Sequence, residues 1–187
     1  DLKKTKPSHA YEAIKRNHAP GGMMSYESAD DLKFYVKKGY CPGNAGKTLE
    51  WAFQDWGLSR MALRMGKKSD AALYEKRSRA WTPLFNKNIG LILPKKENGE
   101  WLHTDPLNGQ GWVEANAWQA TWSVSHDLPK LVELMGGGDA FCEKLNYAFE
   151  QARPTDFVHA YSGGYVSYAN QPGCSNAHLF TYGGQPW

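Results

Sequence analysis

Thr48-Leu49-Glu50-Trp51-Ala52-Phe53-Gln54-Asp55-Trp56-Gly57-Leu58-Ser59-Arg60-Met61-Ala62-Leu63-Arg64-Met65-Gly66 is the stretch on which the reading of the fold turns. Leu49, Ala52, Phe53, Trp56, Leu58, Met61, Ala62 and Met65 recur at helical spacing, with Thr48 as an opening cap and Gly66 as a stop, which predicts a helix over 49–65. Its apolar residues fall almost all the way round, the pattern of a helix buried on several sides. Glu50 and Asp55 break that surface. A carboxylate inside a protein needs a partner, and one that lacks a partner must reach the rim.

The same signals continue on both sides. Ser28 and Gly39 bracket a helix over 29–37, and Ser69 opens one that runs to about Trp81, with Pro83 just beyond. A further helix is predicted over 113–123. Asp127 stands at the cap of Leu128 to Met135, with Pro129 in the first turn, where its missing N–H costs nothing. Gly136-Gly137-Gly138 ends that helix, and Asp139 caps the next, to about Gln151. Turn-rich stretches at 90–94, Asn98-Gly99, Asn108-Gly109 and Ser162-Gly163-Gly164 leave room for short hairpins. Helix following helix, without β-α alternation, predicts an all-α layered domain.

The composition narrows the class. The chain has 187 residues, a length that suits one domain with a real core. Its 22 Lys+Arg against 19 Asp+Glu leave a net charge of +3, too even a balance to point to nucleic acid. No apolar run approaches the roughly 18 residues of a membrane span. Cys41, Cys142 and Cys174 form neither a disulfide framework nor a metal motif. Eight Trp and ten Tyr suit either a demanding core or stacking platforms for a flat ligand. The chain opens at Asp1 and stops at Trp187, and both ends read as cut.

Three motifs invite a functional reading. Gly43-Asn44-Ala45-Gly46-Lys47-Thr48 resembles half of a phosphate loop, but the first glycine position is Cys41 and no strand precedes it. Gly111-Trp112-Val113-Glu114-Ala115-Asn116-Ala117-Trp118-Gln119-Ala120-Thr121-Trp122 is the densest constellation. On a helix, Glu114, Trp118 and Trp122 share one face. Flanking indoles favour a protonated carboxyl and a helix N-terminus opposes it, so the net direction stays open. The alternative is a Trp-rich core helix with Glu114 as a first-turn acid. Six histidines show no zinc spacing, whereas amide oxygens on a loop, as at Asn170-Gln171-Pro172, suit calcium.

Taken together, Gly39-Tyr40, Lys47-Thr48-Leu49-Glu50-Trp51-Ala52, Asp55-Trp56, Glu114, Asn116-Ala117-Trp118-Gln119, Trp122, His126-Asp127, Leu134-Met135-Gly136-Gly137, Asn170 with Pro172, and Gln185-Pro186-Trp187 resemble the family 92 glycoside hydrolases, calcium-dependent exo-α-mannosidases. The resemblance implies part of an (α/α)6 barrel over residues 1–187, with 1–38 as a leading segment of the same domain. It also implies an N-terminal β-sandwich before that domain in the parent protein. It implies an inverting enzyme, secreted or cell-surface, acting on terminal α-mannosides of glycans.

The resemblance also assigns roles. Glu114 becomes the general acid, Asn116, Trp118, Asp55 and Tyr168 bind substrate, and Asn170 and Gln171 border calcium. The general base falls beyond Trp187, so these residues alone are expected to be inactive. The calcium loop departs from the family pattern. Gln171 replaces an acid and Tyr168 a histidine, which lowers the expected affinity for the ion. A non-catalytic carbohydrate-binding module using the Trp face is the competing reading. A helical interaction scaffold has no need of a glutamate between indoles.

Overall fold

The computed structural model describes residues 6–25, 29–159 and 161–186. Seven α-helices and one two-stranded hairpin make up the regular structure of those residues, together with several 3-10 turns, so the all-α expectation holds. The long helix α3 spans Ala45–Arg64. It packs most extensively on α4, Lys68–Arg77, and also receives α1, Pro7–Asn17. Tyr11, Leu58, Ala62, Ala71 and Tyr74 fill the space between these three helices. On its other flank, Trp51 of α3 meets Leu32 and Tyr35 of α2, Ala29–Lys38, together with Cys41 and Ala80.

The first half of α3 faces the main core. There Ala45, Leu49 and Ala52 join Trp81, Leu84 and the hairpin of β1, Phe85–Asn86, with β2, Leu91–Ile92. The short α5, Ala117–Ala120, adds Trp118 to this core. Leu128 and Leu131 come from α6, Leu128–Met135, and Phe141 and Leu145 from α7, Gly138–Ala152. The two strands pair antiparallel, Phe85 opposite Ile92, and an isolated bridge joins Lys95 to Trp101.

Several expectations need correction, among them the cap of α7, which is Gly137, with Asp139 in the first turn. Asn44, not Thr48, caps α3: its side-chain oxygen accepts from Lys47 N at 2.8 Å. Thr48 lies one turn inside, its hydroxyl accepting from Cys41 N and donating to the carbonyl of Asn44. Ser69 likewise falls within α4, which starts at Lys68 and ends at Arg77 rather than Trp81. Nor is α3 buried all round. Glu50, Phe53, Gly57, Arg60 and Arg64 form an exposed stripe, hidden in the sequence because Phe and Gly read as apolar.

The largest departure concerns 113–123. Only Ala117–Ala120 is α-helical, followed by a 3-10 turn over Thr121–Ser123. Glu114 lies outside the helix, in a left-handed backbone at φ 52°. Asn116 supplies the physical reason, since its side chain caps the helix by accepting from Gln119 N at 3.1 Å. A cap residue has extended backbone, so the helix cannot begin before it. Ser28 and Trp187, read above as a cap and as a motif residue, lie outside the described residues.

Candidate active-site cleft

The loop that carries Glu114 is fastened at both ends. Gly111 presents its carbonyl to the free amides at the start of α3, accepting from Ala45 N at 2.8 Å and Gly46 N at 3.4 Å. Those amides are therefore engaged by protein, and the phosphate-loop reading has no ligand position left there. Only glycine suits position 111. Its φ is +85°, and a Cβ would meet Pro94 Cβ at 2.7 Å and the Gly43 carbonyl at 2.9 Å. At the other end, fully buried Asn116 donates from Nδ2 to the carbonyls of Ser162 and Gly164, at 2.9 and 2.8 Å.

This fastening opens a cleft of about 500 Å³. Lys47, Glu50 and Phe53 line it from α3, Val113 and Ala115 from either side of Glu114, and Asn170 with Pro172 from the segment entering a 3-10 coil, Gln171–Gly183. Three segments about 60 residues apart thus meet at one surface. Glu114 itself is exposed. Glu50 accepts from Gln54 Nε2 at 2.9 Å. Neither Glu50 nor Phe53 stood among the candidate site residues. Their i, i+3 spacing on the exposed stripe is the signal that could have found them.

Other candidates lie elsewhere. Trp118 and Trp122 are buried, so the indole face proposed beside Glu114 does not exist. The Trp118 ring sits 5.4 Å from Tyr147 and 5.1 Å from Tyr165, with Lys144 Nζ 5.2 Å above it. Trp122 packs edge-on to Phe141 and donates from its indole N–H to the Trp118 carbonyl. Asn116, expected to bind substrate, is fully buried and spends its amide on bonds within the fold. Asp55, also expected to bind substrate, is fully buried among His18, Tyr35 and Arg77. Tyr168 is partly exposed and packs its ring 5.6 Å from Phe157.

Asn170 uses both ends of its amide. Oδ1 accepts from Gln171 N at 2.9 Å and Nδ2 donates to the Glu114 carbonyl at 3.1 Å. Gln171 is exposed. Among the described residues no group of three His, Cys, Asp or Glu is placed to hold a metal. Two neutral amide oxygens do not by themselves make a calcium site, which takes six to eight oxygens and usually several carboxylates.

His126 borders this region, its ring 5.9 Å from Phe53 and 6.3 Å from Trp56. Nε2 donates to the Ser78 carbonyl at 2.9 Å, and Nδ1 is buried without a partner among the described residues. Burial pushes the imidazole below its ordinary value, against the Ser78 carbonyl and the Asp127 and Glu75 charges. Burial raises the neighbouring Asp127, which caps α6 without a side-chain bond.

A histidine with a depressed folded pKa contributes stability above its unfolded value of about 6.5 and loses it as pH falls through that value. Asp127 acts with the opposite sign, but only nearer the carboxylate range. The melting temperature is therefore expected to fall between pH 7.5 and 5.5, and His126→Gln to flatten that fall. An equally steep fall in the variant would exclude His126 as its cause.

Comparison with known proteins adds identity to this geometry. A solved structure of a family GH92 inverting mannosidase from Bacteroides thetaiotaomicron VPI-5482 is 27% identical, with a TM-score of 0.77 over 94% of this chain and 27% of that one. A family GH92 α-mannosidase from the same species shares the fold at 22% identity and TM-score 0.79, over 98% of this chain and 24% of that one. A protein of Arthroderma benhamiae described as a secreted glycosidase is 24% identical over 95% of this chain and 26% of its own length. The chain thus spans about a quarter of each of these relatives, and its helical fold fits part of the (α/α)6 barrel. The family model for the glycosyl hydrolase family 92 catalytic domain matches residues 1–187, the whole stretch in which these three segments converge, and the chain belongs to that family of glycosidases.

Proposed function

We propose that this chain is the acid-bearing segment of an inverting exo-α-mannosidase that removes terminal α-mannosides from glycans. The observation that carries the reading is the convergence on one cleft of Lys47, Glu50 and Phe53, of Val113 and Ala115 on either side of Glu114, and of Asn170 and Pro172, within a chain of family 92. Glu114 donates a proton to the departing glycosidic oxygen. Water attacks the anomeric carbon from the opposite face and loses a proton to a carboxylate that lies beyond these residues. The two carboxyls of an inverting pair stand roughly 6.5–9.5 Å apart, which leaves room for that water. With one of the pair outside, residues 1–187 alone are inert. Action outside the cell is supported by the name of the Arthroderma relative.

Calcium belongs to the same proposal. Asn170 and Gln171 supply neutral oxygens at its border, and the acidic ligands come from outside the described residues. When bound, the ion would hold vicinal hydroxyls of the sugar.

The test uses the chain expressed with the sequence that flanks it in its gene. Proton NMR of a fresh α-mannoside digest should show β-mannose first. Initial α-mannose would refute inversion, and no release of mannose would refute the substrate class. Excess chelator should abolish turnover, and calcium should restore it better than zinc. Full activity in chelator would remove calcium from the reading.

A further inference from the structure

Glu114 is the exposed residue of its loop whose backbone is least comfortable. Its φ of 52° lies in the left-handed region, which residues with a side chain seldom adopt unless their surroundings hold them there. Gly111 and Asn116 fix the two ends of the loop, but neither bonds the peptide that leaves Glu114. That peptide is held by Asn170, whose Nδ2 reaches the Glu114 carbonyl from 56 residues away. The Asn170 amide cannot turn over freely, because its Oδ1 accepts from Gln171 N at the start of the 3-10 coil. One side chain therefore starts the coil and sets the orientation of the Glu114 carbonyl. Rotation of that peptide would redirect the Glu114 Cα–Cβ bond, and with it the carboxyl.

We infer that Asn170 is a positioning residue for Glu114: its amide N–H holds the left-handed backbone and so sets the direction of the carboxyl, between the cleft-lining residues Val113 and Ala115. The inference rests on the reading of Glu114 as the general acid. It gives Asn170 a task separate from ligating a cation, since the atom at work is a donor nitrogen.

The informative variant is Asn170→Asp, made in the chain with its flanking sequence. It keeps an oxygen for Gln171 N but turns a carboxylate oxygen, which cannot donate, towards the Glu114 carbonyl. Turnover of α-mannosides with poor leaving groups should fall at least about tenfold, and turnover of an activated aryl mannoside by less than about threefold, because only the former needs a well-aimed acid. A second readout is independent of catalysis. Asn170→Asp should lower the melting temperature, and most of that loss should vanish in the Glu114→Gly background, because glycine adopts φ near 52° without help.

Equal losses on both substrates, or an undiminished thermal loss in the Glu114→Gly background, would overturn the inference. So would retained turnover with increased resistance to chelator, the result expected if Asn170 served only as a cation ligand. Glu114→Gln measured in parallel separates the two claims. If it costs nothing on poor leaving groups, the acid assignment fails. The thermal cycle then still decides whether Asn170 holds the loop.

Discussion

Glu114→Gln is expected to lower kcat by about 10²- to 10⁴-fold on α-mannosides with poor leaving groups, the usual range for a lost general acid. The substitution suits the question because it changes little else. Gln has the shape of Glu and the same Cβ, so the left-handed backbone at position 114 is no more strained, and the bond from Asn170 goes to the carbonyl rather than to the side chain. What disappears is the proton. A departing sugar or alkyl oxygen needs that proton in the transition state, whereas a nitrophenolate leaves with little assistance. The loss on an activated aryl mannoside should therefore be tenfold or less by the same reasoning. Comparison of kcat on the two substrates checks this directly. Losses of equal size would mean that Glu114 binds or positions the sugar rather than protonating the leaving oxygen.

Much of the fold could be read from local signals, because local chemistry decides it. Gly39, Gly66 and Gly136 end helices where a left-handed residue is required, and each was visible as a glycine behind an apolar period. The start of α3 was less legible. Asn44 and Thr48 are both good caps, and the choice between them depends on the Gly111 carbonyl, which meets the Ala45 and Gly46 amides from 65 residues further on. The 113–123 stretch has a helical period, yet its first half is held out of helix by Gly111, Asn116 and the carbonyls of Ser162 and Gly164. No local pattern carries that information. The cleft was legible only in part. Glu114 and Asn170 stand out as motif residues and Glu50 as a break in an apolar helix, whereas Phe53 is masked because it reads as one more apolar position.

Asp55 shows most sharply what spacing cannot reveal, and Asp55→Ala is expected to destabilise the chain by about 3–5 kcal/mol, the cost of breaking a buried ion pair from one side. The carboxylate is fully buried and joins three other elements to α3. Oδ1 pairs with His18 Nδ1 at 2.9 Å, just beyond α1. Oδ2 accepts from Tyr35 of α2 and from Arg77 Nε of α4, each at 2.9 Å. Both terminal nitrogens of Arg77 also donate to the His18 carbonyl at 3.3 Å. Burial, followed by the Asp55 charge, pushes the Tyr35 phenol well above its ordinary value, so it remains a donor.

Removing the carboxylate leaves a guanidinium and a phenol facing a cavity. Against a total margin of about 5–15 kcal/mol, that loss suffices to shift the denaturation midpoint far. Asp55→Leu combined with Arg77→Met should recover part of it, because an apolar pair of similar volume removes the charge that was left alone. Chemical denaturation of the three proteins checks the expectation. A midpoint unchanged in Asp55→Ala, together with a fall in kcat/KM, would return Asp55 to the substrate-binding role that the family resemblance implies. A large loss of stability, with kcat/KM preserved in the folded fraction of the double variant, would make it the post on which α1, α2 and α4 are hung.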